Sequence, residues 1–175
     1  MSCNLTSAIA LDCIDSIGGI KKAYIGVDIL VVGATMSADN TITGLTGTGT
    51  FYQYELPKDT ANFVETGTIS EANGTAFWAQ ALTINLQKLT AATRNELLLL
   101  SRNRDIKIIF EDNNGNLWLL GKERGGTMTS LTSNSGTAPG DANNYILTIT
   151  ANEPAMAYQI DALTSVTGFV ITLVA

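Results

Sequence analysis

The sequence predicts a mainly β fold with one α-helix: an antiparallel β-sandwich or half-barrel flanked by that helix, with an N-terminal arm and long loops. Three observations carry this reading. Threonine occurs 23 times and glycine 16 times; the first is β-branched and suits strands, the second supplies turns. Segments that alternate apolar and polar residues recur, separated by Asn-Gly pairs. Only one stretch, about residues 89–103, has apolar residues at helical spacing. The 175 residues suit one domain, divided here into an arm (1–22), a β-sandwich domain (23–162) and a C-terminal β segment (163–175).

The elements follow in order. Residues 1–22 are rich in small side chains and end in Gly18-Gly19 and Lys21-Lys22. Ala23 to Val32 is extended in character, and Asp39-Asn40 turns the chain. Gly44, Gly47 and Gly49 among Thr and Leu read as a flexible connection. Phe51 to Leu56 alternates and stops at Pro57. Strands over 62–72 and 75–86 join at Asn73-Gly74, with Ala76, Trp78, Gln80, Leu82 and Ile84 on one face. Thr90 is a fair N-cap for the helix, and Leu89, Thr93, Leu97 and Leu100 share one of its faces. The run Leu97-Leu98-Leu99-Leu100 is apolar over more than half the circumference, which calls for a wide covering under a sheet or between a sheet and a neighbouring subunit. Asp105–Asp112 and Asn116–Arg124 form a hairpin about Asn113-Asn114-Gly115, read as a type I′ turn. Gly125–Asn143 reads as a polar loop, Tyr145–Thr150 as a strand ended by Glu153-Pro154. Ser165–Ala175 is an apolar β segment that needs a partner, on its own sheet or on a neighbour.

Composition excludes several kinds of chemistry. Histidine is absent, which removes Ser-His-Asp and Cys-His arrangements and His-based zinc sites. The net charge of −6 argues against nonspecific clamping of nucleic acid, which uses clustered Lys and Arg. No apolar stretch is long enough for a membrane span, and residues 1–11 lack a basic leader, so no membrane partner is expected. Cys3 and Cys13 form neither a zinc motif nor a disulfide framework and read as reduced or buried thiols. Asn4 and Asn73 begin glycosylation sequons that carry no weight without a leader. Glu111 to Gly115 lacks the first oxygen ligand of a calcium loop, and Gly44 to Gly49 lacks the Lys-Ser/Thr ending of a phosphate loop. The carboxylate pairs Glu55 with Glu65 and Glu111 with Glu123 read as solvated faces. Tyr52, Tyr54, Trp78 and Trp118 read as packing residues before a sugar platform. Arg94, Glu96, Arg102 and Arg104 are too sparse for a DNA-reading face. No catalytic, cofactor-binding or metal-binding residue is assigned, and no cofactor is expected. Only 15% of residues are charged, against about a quarter in an ordinary soluble domain, which points to surface covered by other protein.

The stretches Phe51–Lys58, Asn73–Trp78, Lys88–Leu97, Glu111–Gly121 and Gly140–Tyr145 resemble a family of virion structural proteins of tailed phages from Bacteroidetes-type hosts, over residues 20–160. The Arg94-Asn95-Glu96-Leu97 helix and the Glu111–Gly115 hairpin are its most specific pieces. Size and layout are similar to tail tube proteins. The resemblance implies hexameric rings that stack into a hollow cylinder, DNA passing through the lumen without specific binding, other virion proteins as partners, and a place in the phage tail after synthesis in the host cytoplasm. Acidic charge is expected to keep the DNA sliding. Met1–Lys22, Thr41–Thr50, Gly125–Asn143 and Ser165–Ala175 are the expected assembly contacts. The alternatives are a head–tail connector, capsid decoration or sheath-associated protein, or a glycan-binding β-sandwich betrayed by exposed Trp78 or Trp118.

Overall fold

The computed structural model describes residues 8, 9, 11 and 13–174. They form β1 (Ile20–Val27), β2 (Leu30–Met36), β3 (Ile42–Glu55), β4 (Asn62–Ser70), β5 (Thr75–Gln87), α1 (Ala91–Arg102), β6 (Ile106–Asp112), β7 (Leu117–Leu120), β8 (Thr127–Asn134), β9 (Asn144–Glu153), β10 (Tyr158–Ile160) and β11 (Val166–Thr172). The mainly β, single-helix class is therefore as the composition requires.

Two sheets stack. The four-stranded sheet has the order β4-β5-β9-β8 and is antiparallel throughout. The seven-stranded sheet curls: β1 pairs β6, β6 pairs β7, β7 pairs β10, β10 meets β3 at Ile160–Ile42, and β3 pairs β1. That circuit closes a small barrel. Tyr24, Ile42, Phe51, Ile109, Leu119 and Ile160 fill its inside. Side chains alternate along a strand, so the neighbours Ala23, Ile25, Ile108 and Phe110 point outward, onto Leu82, Ile84, Leu147 and Ile149 of the second sheet. β1 and β6 are thus buried on both faces, which is why Ile106 to Phe110 reads as a nearly unbroken apolar run.

Buried polar side chains tie the layers at one end. Gln80 of β5 donates to Glu65 of β4, and its Oε1 accepts from the Gly121 amide beyond β7. Glu153 of β9 accepts from the amides of Glu123 and Arg124. Among the described residues, each buried polar side-chain atom has a hydrogen-bond partner, as burial demands.

Several expectations change. Gly44–Gly49 is not a flexible connection but the middle of β3, held by β2 on one side and β11 on the other. Its glycines serve close approach: a Cβ on Gly47 would collide with the Leu30 carbonyl and the Phe169 ring. The 125–143 loop is shorter than expected, because Thr127–Asn134 pairs with β9 as β8; an outer strand of Thr and Ser lacks the apolar alternation that marks a half-buried one. The turn at Asn113-Asn114-Gly115 is not type I′, which needs positive φ at both central residues. Here only Gly115 is positive (φ 86°), and the loop holds three residues between the paired Asp112 and Asn116. The Asp112 carboxylate selects this form by accepting from the amides of Asn114 and Asn116. Asn73-Gly74 likewise has only Gly74 positive (φ 61°), in a four-residue loop. Finally, β10 and β11 run parallel to β3, so the curled sheet is mixed rather than purely antiparallel.

The single stretch Ala23 to Val32 is broken in two at Asp28, where φ is 53°. The break lets β1 stay in the barrel while β2 leaves it, still paired to β3. Ile20 to Lys22, assigned to the arm, already belong to β1.

Candidate functional site

The surfaces that set this chain apart are strand borders. Each sheet ends in two outer strands: β2 and β11 on the curled sheet, β4 and β8 on the other. Folded monomers blunt such borders with lysine, proline or inward charge, because open N–H and C=O groups invite another chain. β2, β8 and β11 contain no charged residue and no proline. β4 has one charge, Glu65, and that side chain is bound by Gln80 and by the Ala157 amide at 2.8 Å.

A second feature is the root of the arm. Residues 13–19 have no regular structure, yet Asn113 and Asn114 grip them. Asn114 accepts from the Ile17 amide and donates to the Ile17 carbonyl, both at 2.9 Å, and Asn113 donates to the Gly18 carbonyl. The arm beyond carries Ile9, Leu11 and Ile14 fully exposed. The Asn-rich turn that sequence reading treats as a hairpin signal therefore also fixes the direction in which the arm leaves.

A third feature is a cleft of about 1050 Å³ between α1 and the end of β3, lined by Tyr52, Tyr54, Leu86, Glu96, Leu97 and Leu99 among others. Thr90 caps α1 by accepting from the Thr93 amide. Leu97 and Leu100 are buried under the helix, whereas Leu98 and Leu99 stay exposed, so only part of the wide apolar stripe is covered within one copy. Burial, the Glu96 carboxylate and Tyr52 push the Tyr54 phenol above its ordinary range. It therefore stays protonated at neutral pH and cannot act as a base there.

The residues weighed for chemistry are dispersed. Glu55 ends β3 and Glu65 lies in the other sheet. Glu111 pairs with Lys21, and Glu123 with Lys122. Trp78 and Trp118 are both partly buried, Trp118 packing on the inter-sheet core and donating to Asp112. Tyr52 is exposed and Tyr54 partly buried, on another strand from either Trp, so the four aromatics do not share one strand face. Arg94, Arg102 and Arg104 are exposed on and after α1. Cys13 is exposed, not buried; Cys3 and Asn4 lie outside the described residues, as do residues 1–7, 10 and 12 of the expected Met1–Lys22 contact. Among the described residues no group of three or more His, Cys, Asp and Glu is placed to hold a metal ion, and no helix is long and apolar enough to cross a membrane.

Of the expected contact segments, Thr41–Thr50 and Ser165–Ala175 meet where β11 (166–172) pairs with residues 45–52 of β3. Sequence reading missed β2. A signal for it exists: between Asp28 and Glu55 only Asp39 is charged. Comparison with protein-family models, curated proteins and solved structures returns no match to this chain.

Proposed function

We propose that the chain is a virion structural protein, a tail tube subunit whose copies form stacked, hexameric rings with a lumen that conducts phage DNA. The observation that carries the reading is the set of open strand borders without charge or proline, beside an arm of exposed isoleucine and leucine. A chain built to remain solitary would expose neither. The resemblance of residues 20–160 to virion proteins supplies the tail assignment.

A second observation supports a conduit. Short of Glu55, the exposed residues of β2, β3 and β11 are uncharged: the hydroxyls of Thr35, Thr43, Thr46, Thr48, Thr167 and Thr172 beside Leu30, Val32, Tyr52 and Val170. Residues 30–36, 42–54 and 166–172 include no Lys, Arg, Asp or Glu. Such a surface has no cation to hold a phosphate, so DNA slides past it. Neutrality, rather than the acidic repulsion expected from net charge, does this work there.

The test is negative-stain microscopy together with sedimentation of the purified chain. Rings and tubes about 100 Å wide, on the order of several 30–40 Å domains around a pore, are expected. A twelvefold collar would move the chain to a connector. A monodisperse monomer at high concentration would end the assembly reading.

A further inference from the structure

We infer that β2 of one copy pairs with β11 of a second copy, forming an antiparallel seam between their curled sheets. The inference deepens the assembly reading above and rests on it. β3 is the hub. β2 pairs with its residues 42–48 along one side, and β11 with residues 45–52 along the other. Among the described residues, neither β2 nor β11 has a strand on its outer side.

The two borders are matched in four ways. Both strands are seven residues long. β2 runs antiparallel to β3 and β11 runs parallel to it, so the two borders point in opposite directions. Rotation about an axis along the strands preserves direction, so β11 of one copy meets β2 of the next antiparallel, the better-aligned pairing. Neither strand carries a charge that the seam would have to bury. Leu30, Val32 and Val170 are 61%, 72% and 61% exposed, and a seam makes such side chains cross-strand neighbours.

The two borders are different surfaces, so the contact is heterologous and repeats head to tail, which generates rings when the rotation closes. The borders of the four-stranded sheet fit less well. β4 carries Glu65, which is anchored inward on Ala157, and α1 lies beside β8.

Two variants of the full chain each block one border. Leu30→Lys with Val32→Lys places cations on β2, and Val170→Lys with Thr172→Lys places them on β11; all four positions are exposed. Sedimentation velocity reads the mass, and circular dichroism reads the fold. Each variant alone is expected to lose the ring mass of the wild type and run as a monomer. An equimolar mixture is expected to give a dimer and stop, because only one seam can form between an open β11 and an open β2. A variant that alone keeps the wild-type mass overturns the seam and leaves assembly standing on another contact. A mixture that yields no dimer, from two variants with wild-type spectra, also overturns it. A wild-type chain that is itself monomeric overturns the assembly reading with it. Where a double substitution unfolds the chain, Val32→Lys and Val170→Lys alone are read by the same outcomes.

Discussion

Asp112 shows how one carboxylate organises a region. Burial alone would raise its pKa. The hydrogen bonds from the Asn116 side chain and amide, the Trp118 indole and the Asn114 amide outweigh that and hold the carboxyl below its usual range. A depressed folded-state pKa adds stability that is present above the unfolded value, about 3.9, and is lost as pH falls through the folded one. The hairpin that Asp112 caps also holds the root of the arm through Asn113 and Asn114. Thermal melts taken from pH 7 down to pH 3 are therefore expected to fall steeply below about pH 4. In Asp112→Asn the melt at pH 7 is lower and the acid-dependent fall is smaller. An unchanged acid profile in that variant would show that the carboxylate contributes nothing to the fold.

At the scale of elements, α1 presents a sharp contrast between adjacent leucines. Leu97 is 1% exposed and packs in the inter-sheet core, while Leu99 is 57% exposed on the cleft. Leu97→Ala is expected to cost about 2–5 kcal/mol, through lost transfer energy and the cavity left behind. Leu99→Ala is expected to change the stability of the isolated chain by less than about 0.5 kcal/mol. Urea unfolding of the two variants checks this, and equal losses would mean that the helix sits differently on the sheets. β3 teaches a similar lesson about context. Its glycines have low intrinsic strand preference, yet the segment is 14 residues of continuous strand because neighbours pair it on both sides. Gly47 is required there by crowding between β2 and β11, not by turn geometry.

For the molecule as a whole, the C-terminal segment joins folding to assembly. β11 adds its row of hydrogen bonds to β3, and Val166, Phe169 and Ile171 pack onto the inner core of the barrel. Its outer border is the one assigned to the seam. Deleting Ser165–Ala175 is expected to remove both roles: it uncovers the β3 border and that core, and the protein should precipitate or fail to assemble. Solubility after centrifugation and electron microscopy of the truncated chain are the measurements. A soluble truncation that still forms tubes would separate β11 from both tasks.

How much of this was legible beforehand depends on whether local chemistry or distant pairing decides each feature. The hairpin expected over 62–72 and 75–86, found as 62–70 with 75–87, the Thr90 cap and α1 were readable, because alternation, Asn-Gly pairs and helix propensity act over a few residues. The turn type at Asn113–Gly115 was not, because the Asp112 side chain, rather than Asn-Gly itself, sets the loop length. β8 was hidden because an outer strand of Thr and Ser needs no apolar alternation. Of the candidate site, Thr41–Thr50 stood out as a glycine-rich connection and Ser165–Ala175 as an apolar segment in need of a partner, whereas β2 was merged into one long extended stretch.

By itself, the sequence determined the class, mainly β with one helix, along with the lack of histidine chemistry and the scarcity of surface charge, since composition and short-range periodicity fix these. Tertiary structure alone decided that the larger sheet curls into a barrel, that β11 lies parallel on β3, and that β2 and β11 are left as matching open borders. Those outcomes depend on which strands meet across more than a hundred residues, and no local pattern records such a choice.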